Sequence, residues 1–435
     1  LPSSCDLKGV KIFGSGFDGS SQVHLDGLDI TSQPGGAVTY VTTSGGRELD
    51  VTIPSVFLSA PHHYALDVFS SGAPSNVADF IVIQAVDLSQ VCPGTNAQPS
   101  SVAIADQIAN GPFSPIALVS VSGCNDIVLI DINPANATFG GIIGKPIGVG
   151  TTPQGIAIYQ RHGLAVVTNN GSNNTTIIDL KATPPAPLAS GLSPVNTGTS
   201  PSGVAINEAT GAAIVANTGS NTVSLINLGL LFPPTGTTPP TTLSPITIGG
   251  IQQPLAVAID PDRGANFQGI AVVSALVLSN GSSASGALAV VDIGLATPAL
   301  STTVPSGFVN AAPTGIVFDP IARTFTTNNG LFYANSSGTN SISAFNPDNG
   351  NSNAISVGIN PTSLALNPQT GAILTSNTAS NTVSIVDTLG SPLRTVQTLG
   401  LPGSPTFGVA IDQFTNLAVI VDQANARLLL FPMPH

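Results

Sequence analysis

The sequence predicts an all-β protein, a ring of seven repeated units preceded by a small sandwich, and three observations predict it. Glycine and proline are abundant, 46 and 36 of 435 residues, and helix formers are not in periodic array, so strands are short and turns many. A hairpin phrase recurs: "VVTNNGSNNTTIID" at 166–179, "IVANTGSNTVSLIN" at 214–227 and "LTSNTASNTVSIVD" at 374–387, with weaker copies at 118–131, 333–346 and 418–431 and a longer-turned one at 276–292. Each copy follows a proline-led phrase such as "PSGVAINEATG". The seven prolines, Pro99, Pro153, Pro201, Pro254, Pro313, Pro361 and Pro405, stand 54, 48, 53, 59, 48 and 44 residues apart. That period is blade spacing, longer than the repeat of helical solenoids.

One period reads as four strands. "GVAI" is the first, and its small side chains suit the crowded innermost position of a seven-bladed β-propeller. "AAIVAN" and "TVSLIN" follow as second and third strands, and "SPITIGG" is the fourth. Alternation is imperfect, as expected for strands buried on both faces between neighbouring blades. After the last copy only three strands remain before His435. The stretch just before Pro99 stands where a fourth strand stands in every other repeat, so 88–98 is read as a linker containing a ring-closing strand and 99–435 as the propeller.

The repeats resemble the YVTN family of β-propeller proteins, whose Val-Thr-Asn is Val167, Thr168 and Asn169 here. The resemblance covers about 99–435 and implies the fold; members are similar to secreted and surface-layer proteins of prokaryotes, and related propellers include enzymes. Residues 1–87 lack the repeat and read as alternating strands of a small β-sandwich. They resemble an immunoglobulin-like IPT/TIG domain through Gly14, Ser15, Gly16 and Phe17, through Pro61 and Tyr64, and through Ser75 with Asn76. Members carry a further strand before this point, for which only 1–8 are available. The shortfall leaves a sheet edge able to take a strand from another chain.

Three cysteines, Cys5, Cys92 and Cys124, allow one disulfide in any of three pairings. If the strand at Gly14–Phe17 runs antiparallel to the last sandwich strand, Cys5 and Cys92 lie at one end, which makes Cys5–Cys92 the preferred pair and leaves Cys124 free. Charged residues are only 7% of the chain and the net charge is −12, with no basic cluster. A nucleic-acid footprint is therefore missing, as is an attraction to anionic membranes. No apolar run reaches the roughly 18 residues of a membrane span. Abundant Asn and Thr with few lysines fit an extracellular, cell-surface or periplasmic protein. Leu1 in place of an initiator Met is what removal of a leader would leave, or a trimmed start.

Chemistry-bearing residues are few. His162 is the one histidine within the propeller body, in a turn opposite the Asn-rich hairpins. Asp260, Asp319 and Asp412, with Asn207 and Asn367, share one slot after the first strand, and Asp131, Asp179, Asp292 and Asp387 share another at the end of the third. Recurrence at fixed slots points to turn chemistry in each blade rather than to one active site. "NPDNGNSN" at 346–353 lacks the ligand spacing of a calcium loop. Sequons at Asn136, Asn170, Asn173, Asn174, Asn280 and Asn335 arise easily in Asn-rich turns. No cofactor or metal is called for.

Two functional classes stand. One is a non-enzymatic secreted or surface protein, a structural or binding scaffold that self-assembles into a layer or filament, or binds other surface proteins or glycans. The other is an extracytoplasmic lyase or lactonase acting at the channel mouth. For the first, the candidate interaction rim is Asn125, Asn170, Asn173, Asn217, Asn221, Asn280, Asn340, Asn377, Asn381 and Asn425. Asparagine and glycine at these turns are expected to take positive φ.

Overall fold

The computed structural model describes residues 6–433 apart from 14, 46, 71–72, 76, 107, 109–114, 233–242, 244, 250, 263–268, 279–283, 295–297, 305–312, 322–329, 348–351, 390–393 and 402–407. No α-helix occurs among the described residues; strands joined by turns and short 3-10 segments make up the chain. It divides into two compact units. One comprises Leu1–Ala85 with Thr415–Ala418 and Leu429–His435, and the other Val86–Phe414 with Val419–Leu428.

The N-terminal residues form two sheets. Leu7–Phe13, Glu48–Ile53 and Ala37–Tyr40 pair in that order, and Gln22–Leu25 lies between Leu28–Asp29 and His62–Ser70, whose other partners are Ala73–Pro74 and Ala78–Val82. Burial alternates strictly along Glu48–Ile53, so Leu49, Val51 and Ile53 face the core with Val23, Leu25, Ile30 and Val68. That is the period-2 pattern of a half-buried strand. Leu7–Phe13 is an edge strand and pairs with Glu48–Ile53, not with the last strand. Ser75 explains its place in the resemblance: its N–H donates to the Val68 carbonyl at 2.7 Å and its Oγ accepts from the Val68 N–H at 2.9 Å. Gly14 and Asn76 lie outside the described residues.

From Pro99 onward, among the described residues, seven antiparallel sheets follow one another; the first six have four strands in sequence order, one of them with a short strand more, and the seventh has three and borrows its fourth from before Pro99. Their first strands are Pro99–Ala105, Pro153–Tyr159, Pro201–Ile206, Val257–Asp260, Ile316–Asp319, Pro361–Asn367 and Val409–Ile411. Each packs against the first strand of the next sheet, and Val409–Ile411 returns to Pro99–Ala105, so these strands form a closed cycle. Apolar layers fill the spaces between sheets. Ile127 and Leu118 of the first meet Val167 and Ile178 of the second, and Val223 and Ile214 of the third meet Val273 and Val291 of the fourth. These side chains are 0–2% exposed or nearly so, because second and third strands have a neighbouring sheet on both faces.

The last sheet runs Val409–Ile411, Leu417–Asp422, Arg427–Pro432 and then Gln84–Asp87. Its fourth strand thus comes from the N-terminal side of the repeats, as the three-strand ending requires. Its position differs from the expected 88–98, however, lying within the stretch assigned to the sandwich. Leu88 extends the ladder with an N–H bond to the Ala426 carbonyl at 2.8 Å, after which the chain runs along the surface, with Leu88, Cys92 and Ala97 buried and most residues between them exposed.

The cysteine expectation is overturned. Cys92 is bonded to Cys124, with Cα atoms 5.5 Å apart, so the Cys5–Cys92 pair does not form and Cys124 is not free. The pairing follows from where 88–97 leads: Gly123 N–H donates to the Ala97 carbonyl at 2.9 Å, which lays this segment against the turn that holds Cys124. Cys5 lies outside the described residues.

Candidate functional site

The first strands are held together by small residues and a shared polar slot. A side chain at Gly155 would place its Cβ 2.3 Å from the Ser202 carbonyl oxygen, and one at Gly203 would lie 2.4 Å from that of Leu255. No Cβ fits at such distances, so the glycine of the proline-led phrase permits adjacent sheets to touch at the axis. Most of these strands are bulged just after the proline. At this entry to the strand, bulged or not, backbone N–H groups are taken up by hydroxyls or an amide of the second strand. Ser101 N–H donates to Ser120 Oγ at 2.9 Å, Gly155 N–H to Thr168 Oγ1 at 2.8 Å, Ala256 N–H to Ser274 Oγ at 2.8 Å and Gly315 N–H to Asn335 Oδ1 at 2.7 Å. Thr168 Oγ1 also donates onward to the Ser202 carbonyl at 2.6 Å. The threonine of "VTN" is therefore a link between sheets.

Around the axis lies a cavity of about 630 Å³. It is lined by residues 100–102, 154–156, 202–204, 255–257, 314–316, 362–364 and 408–409, with Ser122, Thr152 and Gln423. Serine, threonine, glutamine, glycine, alanine and aliphatic residues make up this wall, and none of them is ionisable. Ser122 and Gln423 belong to turns between second and third strands, and Thr152 to the loop before Pro153. The cavity therefore meets the asparagine-rich end of the sheets.

At that end the described hairpins are four-residue turns whose last residue is left-handed: Asn125, Asn173, Asn221, Asn340 and Asn381 have φ between 52° and 62°, and Ala426 takes the place in the last sheet, while the turn of the fourth sheet, 279–283, lies outside the described residues. The expectation for glycine fails, since Gly171 and Gly219 are not in the positive-φ region. A Cβ there would lie 2.7 and 2.8 Å from Thr151 Oγ1 and Thr199 Oγ1, hydroxyls that can rotate aside, and Ala379 takes the same place in the turn of the sixth sheet. The left-handed asparagines hold the next sheet's leading loop. Oδ1 of Asn125 accepts from Thr152 N–H at 2.9 Å, Asn173 from Ser200 at 2.8 Å, Asn221 from Gln253 at 2.8 Å and Asn340 from Asn360 at 2.9 Å. Thr152, Ser200, Gln253 and Asn360 have positive φ themselves, a costly setting that this bond supports.

The predicted rim is thus of two kinds. Asn217 and Asn377 are fully buried at the ends of second strands, where Nδ2 donates to Thr222 and Ser224, and to Thr382 and Ser384. They cannot meet a partner and leave the rim, because each ends its second strand, paired with the first residue of the third, and points inward as Asn169 does. Asn170 donates to the Pro201 carbonyl at 3.2 Å, and Asn425 to the Asp422 carboxylate at 2.8 Å. Asn280 lies outside the described residues.

The acidic slots behave as turn chemistry predicts. Asn207 Oδ1 accepts from Ala209 N–H, Asp319 Oδ1 from Ile321, Asn367 Oδ1 from Gln369 and Asp412 Oδ1 from Phe414, each within 3.0 Å. Asp179 and Asp387 do the same after the third strand. At this opposite end, sheets are tied by side chains that the sequence did not single out. Glu208 accepts from the Gln160 N–H at 2.8 Å, and Gln413 Nε2 donates to Asp106 Oδ2 at 3.1 Å, joining last sheet to first. Burial pushes the carboxyl pKa of both Glu208 and Asp106 upward. His162 stacks on Phe232 at 3.6 Å between ring centroids and contacts Tyr159. Burial, then Arg161 and Lys181, hold its pKa below the ordinary imidazole value. It is not among the residues lining the cavity. Residues 348–351, half of 346–353, lie outside the described residues, and the described residues of the chain hold no group of three or more His, Cys, Asp or Glu arranged for a metal. No described helix is long and apolar enough to cross a membrane.

No family model matches the chain, nor does any curated protein. Solved structures do match, 731 chains of them, so the architecture is a common one. One is the hydrazine synthase of Kuenenia stuttgartiensis, a protein with β-propeller domains: 14% identical, TM-score 0.57, over 79% of this chain and 99% of that one. At that identity the likeness carries the fold alone.

Proposed function

We propose that this chain is a seven-bladed propeller with an immunoglobulin-like sandwich that works outside the cytoplasm as a non-enzymatic binding or structural scaffold. The observation that carries the reading is the wall of the central cavity. Catalysis at a propeller mouth needs convergent acid, base or electrophilic groups, whereas this wall offers hydroxyls, one face of amides and aliphatic carbon. Acids elsewhere in the repeats are spent on turns. The disulfide fits an oxidising compartment, and the resemblances to YVTN and IPT/TIG proteins point the same way.

Self-association is the sharper form of this proposal. Its support is the edge strand Leu7–Phe13, whose outer backbone groups face no other strand among the described residues and whose Phe13 is 71% exposed. Unprotected edges are templates for pairing with a second chain. The low charge leaves little like-charge repulsion to oppose it. Negative-stain electron microscopy with sedimentation velocity tests it: ordered polymers that dissolve in Ile12→Pro support the reading, and a monodisperse monomer at high concentration sinks it.

A further inference from the structure

We propose that the central cavity binds a neutral, hydroxyl-rich ligand, a short uncharged saccharide, admitted at the asparagine-rich end of the ring. The inference deepens the binding arm of the reading above and rests on it, but does not need self-association.

The chemistry of the wall selects the class. A charged ligand would give up its hydration without meeting an ionisable partner among the described residues of the wall, which is costly. Anions would in addition face a chain of net charge −12. A purely apolar ligand is no better suited, because it would strip water from the serine and threonine hydroxyls and the Gln154 amide without replacing it. What remains is a molecule carrying hydroxyls and C–H faces together.

The available hydrogen-bonding groups have a definite polarity. Ser100 and Ser202 donate their hydroxyl protons to carbonyls of the neighbouring sheet, Pro153 and Leu255, at 2.9 Å each, and Thr314 Oγ1 donates to Asn335 Oδ1 at 3.2 Å or to the Pro361 carbonyl at 3.3 Å. Their remaining lone pairs accept, so they favour a ligand that donates, as sugar hydroxyls do. Gln154 supplies both a donor and an acceptor beside them. The aliphatic residues that follow, Val204 among them, give C–H faces something to lie against. At about 630 Å³ the cavity falls within the range of small-molecule sites. No aromatic ring lines it among the described residues, so stacking adds nothing and affinity is expected to be weak, with Kd of about 1 mM.

Titration of the full chain with cellotriose, maltotriose and tri-N-acetylchitotriose, followed by ligand-observed NMR, tests the proposal. One of the three is expected to bind with one-to-one stoichiometry and the same affinity in low and high salt. Gln154→Leu and, separately, Ser363→Leu are expected to weaken that binding about ten-fold, or about 1.4 kcal/mol, with thermal unfolding reporting that each variant is folded. Three silent sugars, binding that salt abolishes, or binding that both folded variants retain would each overturn it. Sedimentation of the same samples keeps the two proposals apart, since a polymer that binds no sugar refutes only this one.

Discussion

Oδ1 of Asn173 accepts a hydrogen bond from the backbone N–H of Ser200 at 2.8 Å, across the gap between one sheet and the next. Both residues are left-handed, at φ 56° and 50°, so one strained turn steadies another. Asn173 also takes the Thr197 N–H on its own carbonyl, which fixes the leading loop at two points. Replacing it by alanine removes the side-chain bond and puts a residue without local hydrogen bonding into the left-handed region. Each change costs about 1 kcal/mol, so Asn173→Ala should lose about 2 kcal/mol and Asn173→Gly about 1. Urea unfolding of the two variants measures the difference. Equal loss would mean that the backbone setting contributes nothing.

Gly203 tests the contact at the axis. Gly203→Ala sets a Cβ against the Leu255 carbonyl oxygen, a backbone atom that cannot swing aside, and should cost about 3 kcal/mol. Gly249, in an outer strand with nothing within 4 Å, is the matched control, and Gly249→Ala should be near neutral. If both variants unfold at the same denaturant concentration, close approach is not why glycine stands in the proline-led phrase.

How much of this was legible in the sequence depends on whether a residue's role is local. The hairpins, the Asx turns at Asn207 and Asp319 and the cycle of repeats were readable, because turn chemistry and period are written along the chain. The partners of Asn173 and Thr168 were not, since each lies in the next repeat, 27 and 34 residues on, and acts between sheets. Asn217 reads correctly as the last residue of the strand "AAIVAN" and yet was counted in the rim, because the sequence gives no sign of which way a strand's last side chain points; its amide turns inward onto Thr222 and Ser224. The Cys92–Cys124 bond was missed for a similar reason. It depends on the closing strand stopping at Asp87, which leaves 88–97 free to turn toward Gly123.

Stability should rise on mild acidification through Asp106 and Glu208. Burial raises both carboxyl pKa values above their ordinary level, so the folded state binds these protons more tightly than the unfolded state does. Their stabilising contribution is complete below the unfolded pKa of about 4 and is lost as pH rises through the raised native values. Urea midpoints of the parent and of Asp106→Asn/Glu208→Gln, followed from pH 7 downward, check the sign. The parent should gain more than the variant over that interval; parallel curves would show that neither carboxyl is linked to folding.

The disulfide secures the place where the ring depends on a short strand. Gln84–Asp87 is only 4 residues long, and Cys92 follows it closely while Cys124 sits in the turn of the first sheet. The crosslink spans 32 residues of sequence, a loop whose closure in the unfolded chain is worth about 3 to 4 kcal/mol. Cys92→Ser/Cys124→Ser should lose that stability, and in native conditions should be cut faster by protease within 84–98 than elsewhere, because the last sheet then keeps its fourth strand by hydrogen bonds alone. Mass spectrometry of the early fragments locates the cut. Loss of stability with cleavage spread evenly over the chain would mean that the bond stiffens the protein generally and does not guard the closing strand.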